Sequence, residues 1–251
     1  MRLAALARWI DETLDIDAFG ADSSLNGLQV EGRKTVKRVA TAVDACEETI
    51  TRAARARIDL LIVHHGLFWG PAVPITGFMA RRLRRLLSNG ISLYAAHLPL
   101  DCHPELGNNA RLADLLGVED RDRFGRYKGI DIGVRGALPR PVATASLAAR
   151  VRRVTGAPVR TFPFGPSRIK RLGIVSGGGS MLLQAAAEAG CDALLTGEPA
   201  HSAWHVAREA RINLLCGGHY ATETLGVRTL GERVAGEFGL PVSFIDVPTG
   251  L

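Results

Sequence analysis

Residues 38 to 43 form a short β-rich run, Arg38-Val39-Ala40-Thr41-Ala42-Val43. Residues 46 to 56 then carry helical spacing, and Leu60-Leu61-Ile62-Val63 is a second apolar run. The pattern predicts strand, helix, strand. It recurs at a constant offset of 133 residues: Lys37-Arg38 matches Lys170-Arg171, Ala53-Ala54 matches Ala186-Ala187, Asp59 matches Asp192, and Leu61 matches Leu194. Strand 39–43 thus answers 172–176, and 60–63 answers 193–196. Each copy continues into another apolar strand, 91–96 and 212–216, followed by a histidine and, four residues later, a carboxylate. The two are His97 with Asp101 and His219 with Glu223, at a common offset of 122. An internal duplication explains the pattern most economically, and it extends into the chemistry.

Strands alternating with helical segments predict an α/β fold built as two similar α/β domains, each with a parallel or mostly parallel sheet and with ligands outside the carboxyl ends of the strands. Charge rises and apolar periodicity stops at residues 120–128, which places the expected boundary there. The first domain, 1–125, carries His64, His65 and Asp101. The second, 126–251, carries His219 and Glu223, and the absence of a long linker predicts that the two pack as one compact body.

Composition narrows the function classes. With 251 residues, 47% of them hydrophobic, the chain can build sizeable cores. It contains no apolar run long enough to span a bilayer and opens on a charged amphipathic segment rather than a signal peptide, so a cytoplasmic protein without membrane association is expected. Cys46, Cys102, Cys191 and Cys216 form no C-x-x-C pair, which predicts buried reduced thiols. The net charge of +6 includes the dense run Arg81-Arg82-Leu83-Arg84-Arg85. No aromatic platform or nucleic-acid motif accompanies that run, so it reads as a solvated helix face; the charge would instead draw small anionic substrates.

The seven histidines fall into three blocks: His64-His65, His97 with His103 around Asp101, and His201, His205 and His219. Imidazole is the commonest transition-metal ligand. Adjacent side chains at a strand end diverge, so His64-His65 suits two neighbouring metals rather than one, with Glu223 or Asp101 bridging or completing the shells. His219 and Glu223 share a helix face if a helix starts there. Pro99 argues for a turn in the matching segment, so His97 is either a ligand or a residue that orients ligands. Glu198 aligns with His65 across the repeat and is a candidate general base, or a carboxylate at a helix start. His201 and His205 read as lining a polar surface. Gly177-Gly178-Gly179-Ser180 reads as a tight strand-to-helix turn, and Phe68, Trp69 and Trp204 as core aromatics or a stacking face for a purine-like ring.

Six ordered motifs, residues 26–32 (NGLQVEG), 63–69 (VHHGLFW), 97–101 (HLPLD), 108–109 (NN), 196–198 (TGE) and 218–223 (GHYATE), resemble those of the Nif3-like dinuclear metal-binding family, whose members are often called GTP cyclohydrolase 1 type 2 homologues. The resemblance covers essentially the whole chain and matches the short form, with no domain inserted near 120–128. It implies a dinuclear site between two similar domains and a homohexameric toroid. One metal would be held by His64, Asp101 and Glu223, the other by His65, His219 and Glu223, with Glu223 bridging and His97 behind the ligands. HLPLD departs from the family's commoner His-Thr-x-Leu-Asp but keeps Asp101 in register.

The expectation is therefore a dinuclear metal-dependent hydrolase of a nucleotide-like or other small anionic substrate, with GTP cyclohydrolase-like chemistry a possibility. Glu198 and His97 are its candidate catalytic residues. It would hold two divalent ions per chain, zinc, iron, manganese or nickel. The alternative is a non-catalytic metal-binding, metal-delivery or adaptor protein forming a ring.

Overall fold

Leu3, Leu6, Ala7, Ile10 and Leu14 recur at helical spacing and become the buried face of α1 (Leu3–Leu14). The computed structural model describes residues 1–251. After a 3₁₀ turn at Ile16–Phe19 come β1 (Gly27–Val30), β2 (Val39–Asp44), α2 (Glu47–Arg55), β3 (Leu60–His65), α3 (Gly77–Asn89), β4 (Ser92–Ala95) and α4 (Leu98–Cys102). Then follow α5 (Asn108–Leu116), β5 (Glu119–Tyr127), β6 (Ile130–Ala143), α6 (Thr144–Thr155), β7 (Arg160–Pro163) and β8 (Arg168–Ile174). A 3₁₀ turn at Gly179–Leu182 leads into α7 (Leu183–Glu188), β9 (Ala193–Thr196), α8 (Ala203–Glu209), β10 (Asn213–Cys216), α9 (His219–Phe238) and β11 (Val242–Phe244). No helix is long and apolar enough to cross a membrane.

The chain divides into two units, one of Met1–His103 with Gly226–Val247 and one of Pro104–Leu225 with Pro248–Leu251. The expected division at 125/126 falls elsewhere for a definite reason. The charged stretch from Glu119 is a strand, β5, paired antiparallel with β6 through a two-residue turn at Lys128 and Gly129 (φ 47 and 88). Two left-handed residues in succession make the tight hairpin turn whose twist suits the flanking strands. Lining an outer strand with charge also protects it from pairing with other chains. The carboxyl-terminal part of α9 and β11 return to the first unit.

The first sheet runs β1-β4-β3-β2-β11, parallel throughout except for β1. Its central strands are continuous apolar runs because both faces are covered, and the core gathers Ile50, Leu61, Val63, Leu86, Ile91 and Leu93. The second sheet, β5-β6-β8-β9-β10-β7, is mixed: only β8, β9 and β10 pair in parallel. The expectation of mostly parallel sheets therefore holds for the first sheet only, since hairpins and antiparallel edges complete the second.

The repeat is kept in three dimensions. Val39 pairs with Leu60, and Leu172 with Ala193, the same register at the same offset. The repeated acid explains the repeated basic pair: Asp59 Oδ2 accepts the amides of Lys37 and Arg38 at 2.8 and 3.0 Å. Asp192 Oδ2 accepts those of Lys170 and Arg171, both at 2.8 Å. In each copy a carboxylate at the start of one strand thus fixes the entry of its neighbour.

The Arg81–Arg85 run lies on α3 and turns partly toward α2, where Arg81 meets Glu47 at 3.2 Å and Arg85 bonds Thr51. That agrees with its reading as a charged helix face. Cys102, Cys191 and Cys216 are buried thiols, and Cys46 is half-buried at the start of α2.

Candidate metal centre

In the first unit, parallel strands deliver the donors to one edge. β3 ends on His64-His65, and β4 leads through His97 into α4, which carries Asp101. Pro99 does not prevent that helix: it lies in the first turn, where its missing N–H costs no hydrogen bond. His64, His65 and His97 each offer a ring nitrogen within 4.8 Å of the others. The expected divergence of the adjacent pair is thus overridden at the strand end, where the His64 and His65 ring centroids are 4.7 Å apart.

Each imidazole is oriented from behind. His64 donates its Nδ1–H to the Ala96 carbonyl at 2.9 Å, leaving Nε2 to face Asp101 Oδ2 at 3.5 Å. His65 donates Nδ1–H to Asp44 Oδ1 at 2.8 Å, and His97 donates to both Asp22 oxygens at 3.0 Å. Asp22 also accepts the Leu98 amide and the Asn26 side chain, while Asn26 Oδ1 accepts the His97 amide at 2.8 Å. Burial pushes the Asp22 carboxyl up, but the bond and charge of His97, with help from Asn26 and Ser24, outweigh it and hold the group at about 2. Asp22 is therefore an anion at any physiological pH.

The second unit uses the same strand ends. Gly177 follows β8, Glu198 follows β9, and His219 opens α9 after β10. His219 and Glu223 share the expected helix face, with His219 Nε2 at 3.2 Å from Glu223 Oε1. His219 Nδ1 is held by Glu198 Oε1 at 2.9 Å. Glu198 precedes α8 by several residues, so it is not a carboxylate at a helix start. The bond from Glu223, opposed by burial and reinforced by Glu198, pushes the His219 pKa up to about 9. Glu223 is 3% exposed and lies against the backbone of Gly177 (φ 60), where a Cβ would collide with its Oε1. The glycine turn thus makes room for a carboxylate, a role the sequence pattern left open.

Both donor sets suit divalent metals. Two ligand atoms about 2.1 Å from a tetrahedral or octahedral ion lie about 3.0–3.4 Å apart, close to the His64–Asp101 and His219–Glu223 separations of 3.5 and 3.2 Å. Imidazoles that donate their second nitrogen to a carbonyl or carboxylate are the usual form of metal-binding histidine.

Sequence reasoning missed Asp22 and Asp44. Asp44 was reachable, because it ends the strand beside β3 and pairs with His65 in register. Asp22 lies in an irregular loop 75 residues from His97, and no periodicity signals it. The remaining candidates have other tasks. Asn109 ties the Ser176 amide and the Ile132 carbonyl together within the second unit. His201 and His205 lie 6.2 Å apart between ring centroids on the α8 segment, with Trp204 against His205. Trp204 already packs on Phe164 and under Arg208. Trp69 stands edge-on to His97, with ring centroids 4.9 Å apart. With Phe68 and Asp22 it lines a cavity of about 560 Å³.

Residues 1–250 match the profile of Duf34/NIF3 (NGG1p interacting factor 3). A Deinococcus radiodurans protein bearing the name GTP cyclohydrolase 1 type 2 homolog is 45% identical, over 98% of this chain and 93% of its own. A Pyrococcus abyssi protein of the same name is 44% identical over the full length of both. Among solved structures, TTHA1606 from Thermus thermophilus superposes with a TM-score of 0.91 at 43% identity, covering all of both chains. The protein ybgI, of unknown function, does so with a TM-score of 0.93 at 39% identity, again over all of both chains.

Proposed function

The chain belongs to the Duf34/NIF3 family, and from that premise we propose that it is a dinuclear metal-dependent hydrolase of a nucleotide-like or other small anionic molecule. The observation that carries the reading is three histidines, His64 and His65 in the first unit and His219 in the second, oriented from behind by Ala96, Asp44 and Glu198. In this proposal His64, Asp101 and Glu223 hold one ion and His65, His219 and Glu223 the other. Joining the two donor sets into one centre rests on family membership.

Bound divalent ions supply Lewis acidity and a water nucleophile at neutral pH. The chain's own residues do the rest. Asp22 fixes the tautomer of His97 and leaves its Nε2 to exchange a proton with substrate. Glu198 acts through His219, holding its Nδ1 proton so that Nε2 is presented as a donor atom. A GTP-like substrate is one the relatives' name suggests, and the Trp69 cavity is large enough for a nucleoside. Exposed Val73, Ile75 and Phe78 support self-association, with a toroidal hexamer as the proposed form, checked by light scattering.

The test is to purify the chain without chelator, quantify bound metal, and assay GTP and phosphoester hydrolysis against Glu223→Ala. Two ions per chain with metal-dependent turnover are expected. Stoichiometric metal without turnover would favour the non-catalytic metal-binding alternative, and no metal after supplementation would defeat both readings.

A further inference from the structure

At the amino-terminal ends of β2 and β3, the sheet edge opposite His64 and His65, lies a cavity of about 380 Å³. Arg33, Lys37, Arg38 and Arg57 line it with one carboxylate, Asp59. That carboxylate is committed: Oδ2 takes the Lys37 and Arg38 amides and Oδ1 meets the Arg33 guanidinium at 3.4 Å. No carboxylate pairs with the side chains of Lys37, Arg38 or Arg57. Cations gathered around one concavity repel one another and focus a positive potential into it until a counter-charge arrives.

The repeat supplies an internal control. Lys170 and Arg171, the counterparts of Lys37 and Arg38, line a cavity of about 390 Å³ in the second unit, but Asp120, Asp122 and Arg135 share its walls. Arg135 is bonded to Asp122 at 2.9 Å. Positive charge is met there from within the chain, whereas in the first unit a carboxylate meets Arg33 alone and leaves Lys37, Arg38 and Arg57 without one.

The two copies differ again where the helix before each cavity ends. α2 closes with the Arg57 and Ile58 amides returning to Ala54 and Ala53, and Arg57 takes φ 54. α7 closes identically through Gly190 (φ 74) and Cys191. A side chain in this conformation costs about 1 kcal/mol or more that glycine avoids. The swap runs the other way at Gly90 and Arg211, so a left-handed arginine marks nothing by itself. What sets Arg57 apart is the cavity it lines with three further cations.

We propose that this cavity binds a small polyvalent phosphate anion, a chain of two or three phosphoryl groups, at a site separate from the metal centre. Four cations against one carboxylate leave an excess that such a chain matches. Guanidinium forks pair with phosphate oxygens two at a time, and Lys37 adds a mobile point charge. Six residues of β3 put about 20 Å between this site and the histidines.

The test is calorimetric titration of the full-length protein with sodium tripolyphosphate at low ionic strength. Lys37→Ser combined with Arg57→Gly should weaken binding at least tenfold without lowering the thermal midpoint, since neither side chain has an internal partner and glycine suits the left-handed position. Lys37→Glu alone should give the same direction of loss. Lys170→Ser with Arg171→Ser should leave binding intact, as should Glu223→Gln. Heat from chelation of bound metal would persist in the Lys37/Arg57 variant and be lost in Glu223→Gln, the reverse pattern. Unchanged affinity in the Lys37/Arg57 variant, or no binding by the wild type, would overturn the proposal. So would a DNA duplex that binds more tightly than tripolyphosphate and is released by the same substitutions.

Discussion

Asp44 and His65 face each other in register at the ends of β2 and β3, and Asp44 Oδ1 accepts the His65 Nδ1–H at 2.8 Å. The bond fixes which nitrogen carries the proton and aims the other. Asp44→Ala should therefore reduce metal affinity about 10- to 100-fold while the fold is kept, because the Asp44 side chain is partly exposed and its bond goes to the His65 ring. Competition with a fluorescent chelator measures this, and equal affinity in wild type and variant would remove the positioning role.

Gly177 and Gly178 are neighbours with opposite expectations. A Cβ on Gly177 would meet Glu223 Oε1 and lie 3.1 Å from His219 Nε2, and the φ of 60 disfavours any side chain. A Cβ on Gly178 finds nothing nearer than 3.8 Å. Gly177→Ala should cost about 1–3 kcal/mol and displace Glu223, with loss of bound metal by elemental analysis. Gly178→Ala should retain both stability and metal.

These two sites also show what the sequence could reveal. The placement of His64, His65, Asp101, His219 and Glu223 after apolar strands was legible, because the histidine-to-carboxylate spacing recurs in both copies; their part as metal ligands is proposed. The strand, helix, strand core was legible for the same reason, since buried parallel strands are continuous apolar runs. β5 was not: its residues are charged because it is an outer strand, so hydrophobic periodicity could not mark it. Asp22 was hidden because loop geometry, rather than sequence spacing, brings it to His97.

The duplicated acids Asp59 and Asp192 each satisfy two backbone amides. Replacement by alanine leaves those amides without an acceptor, so each substitution should destabilise by about 1–3 kcal/mol. Asparagine keeps one acceptor oxygen and should cost less. Denaturant unfolding of the four variants tests the equivalence of the copies; a large effect at one acid and none at the other would contradict it.

Cys191 and Cys216 predict how stability responds to alkali. Burial pushes their thiols up to about 11 and about 12, from an ordinary value near 9. In the unfolded chain both ionise as pH passes about 9, whereas in the folded protein they stay neutral, because the thiolate would lose its hydration. The unfolded state alone gains from the rising pH, so the contribution is fully present below about 9 and is lost as pH climbs toward 11–12. The thermal midpoint should fall across that window. A Cys191→Ala/Cys216→Ala variant, whatever its midpoint at pH 8, should show a shallower fall, because it no longer has two thiols that ionise only on unfolding. Thiolate labelling at pH 8 offers a second readout: half-buried Cys46 should react first, with Cys191 and Cys216 following only as the chain unfolds. Rapid labelling of Cys216 in the folded protein, or an equal alkaline slope in wild type and variant, would show that burial does not hold these thiols neutral.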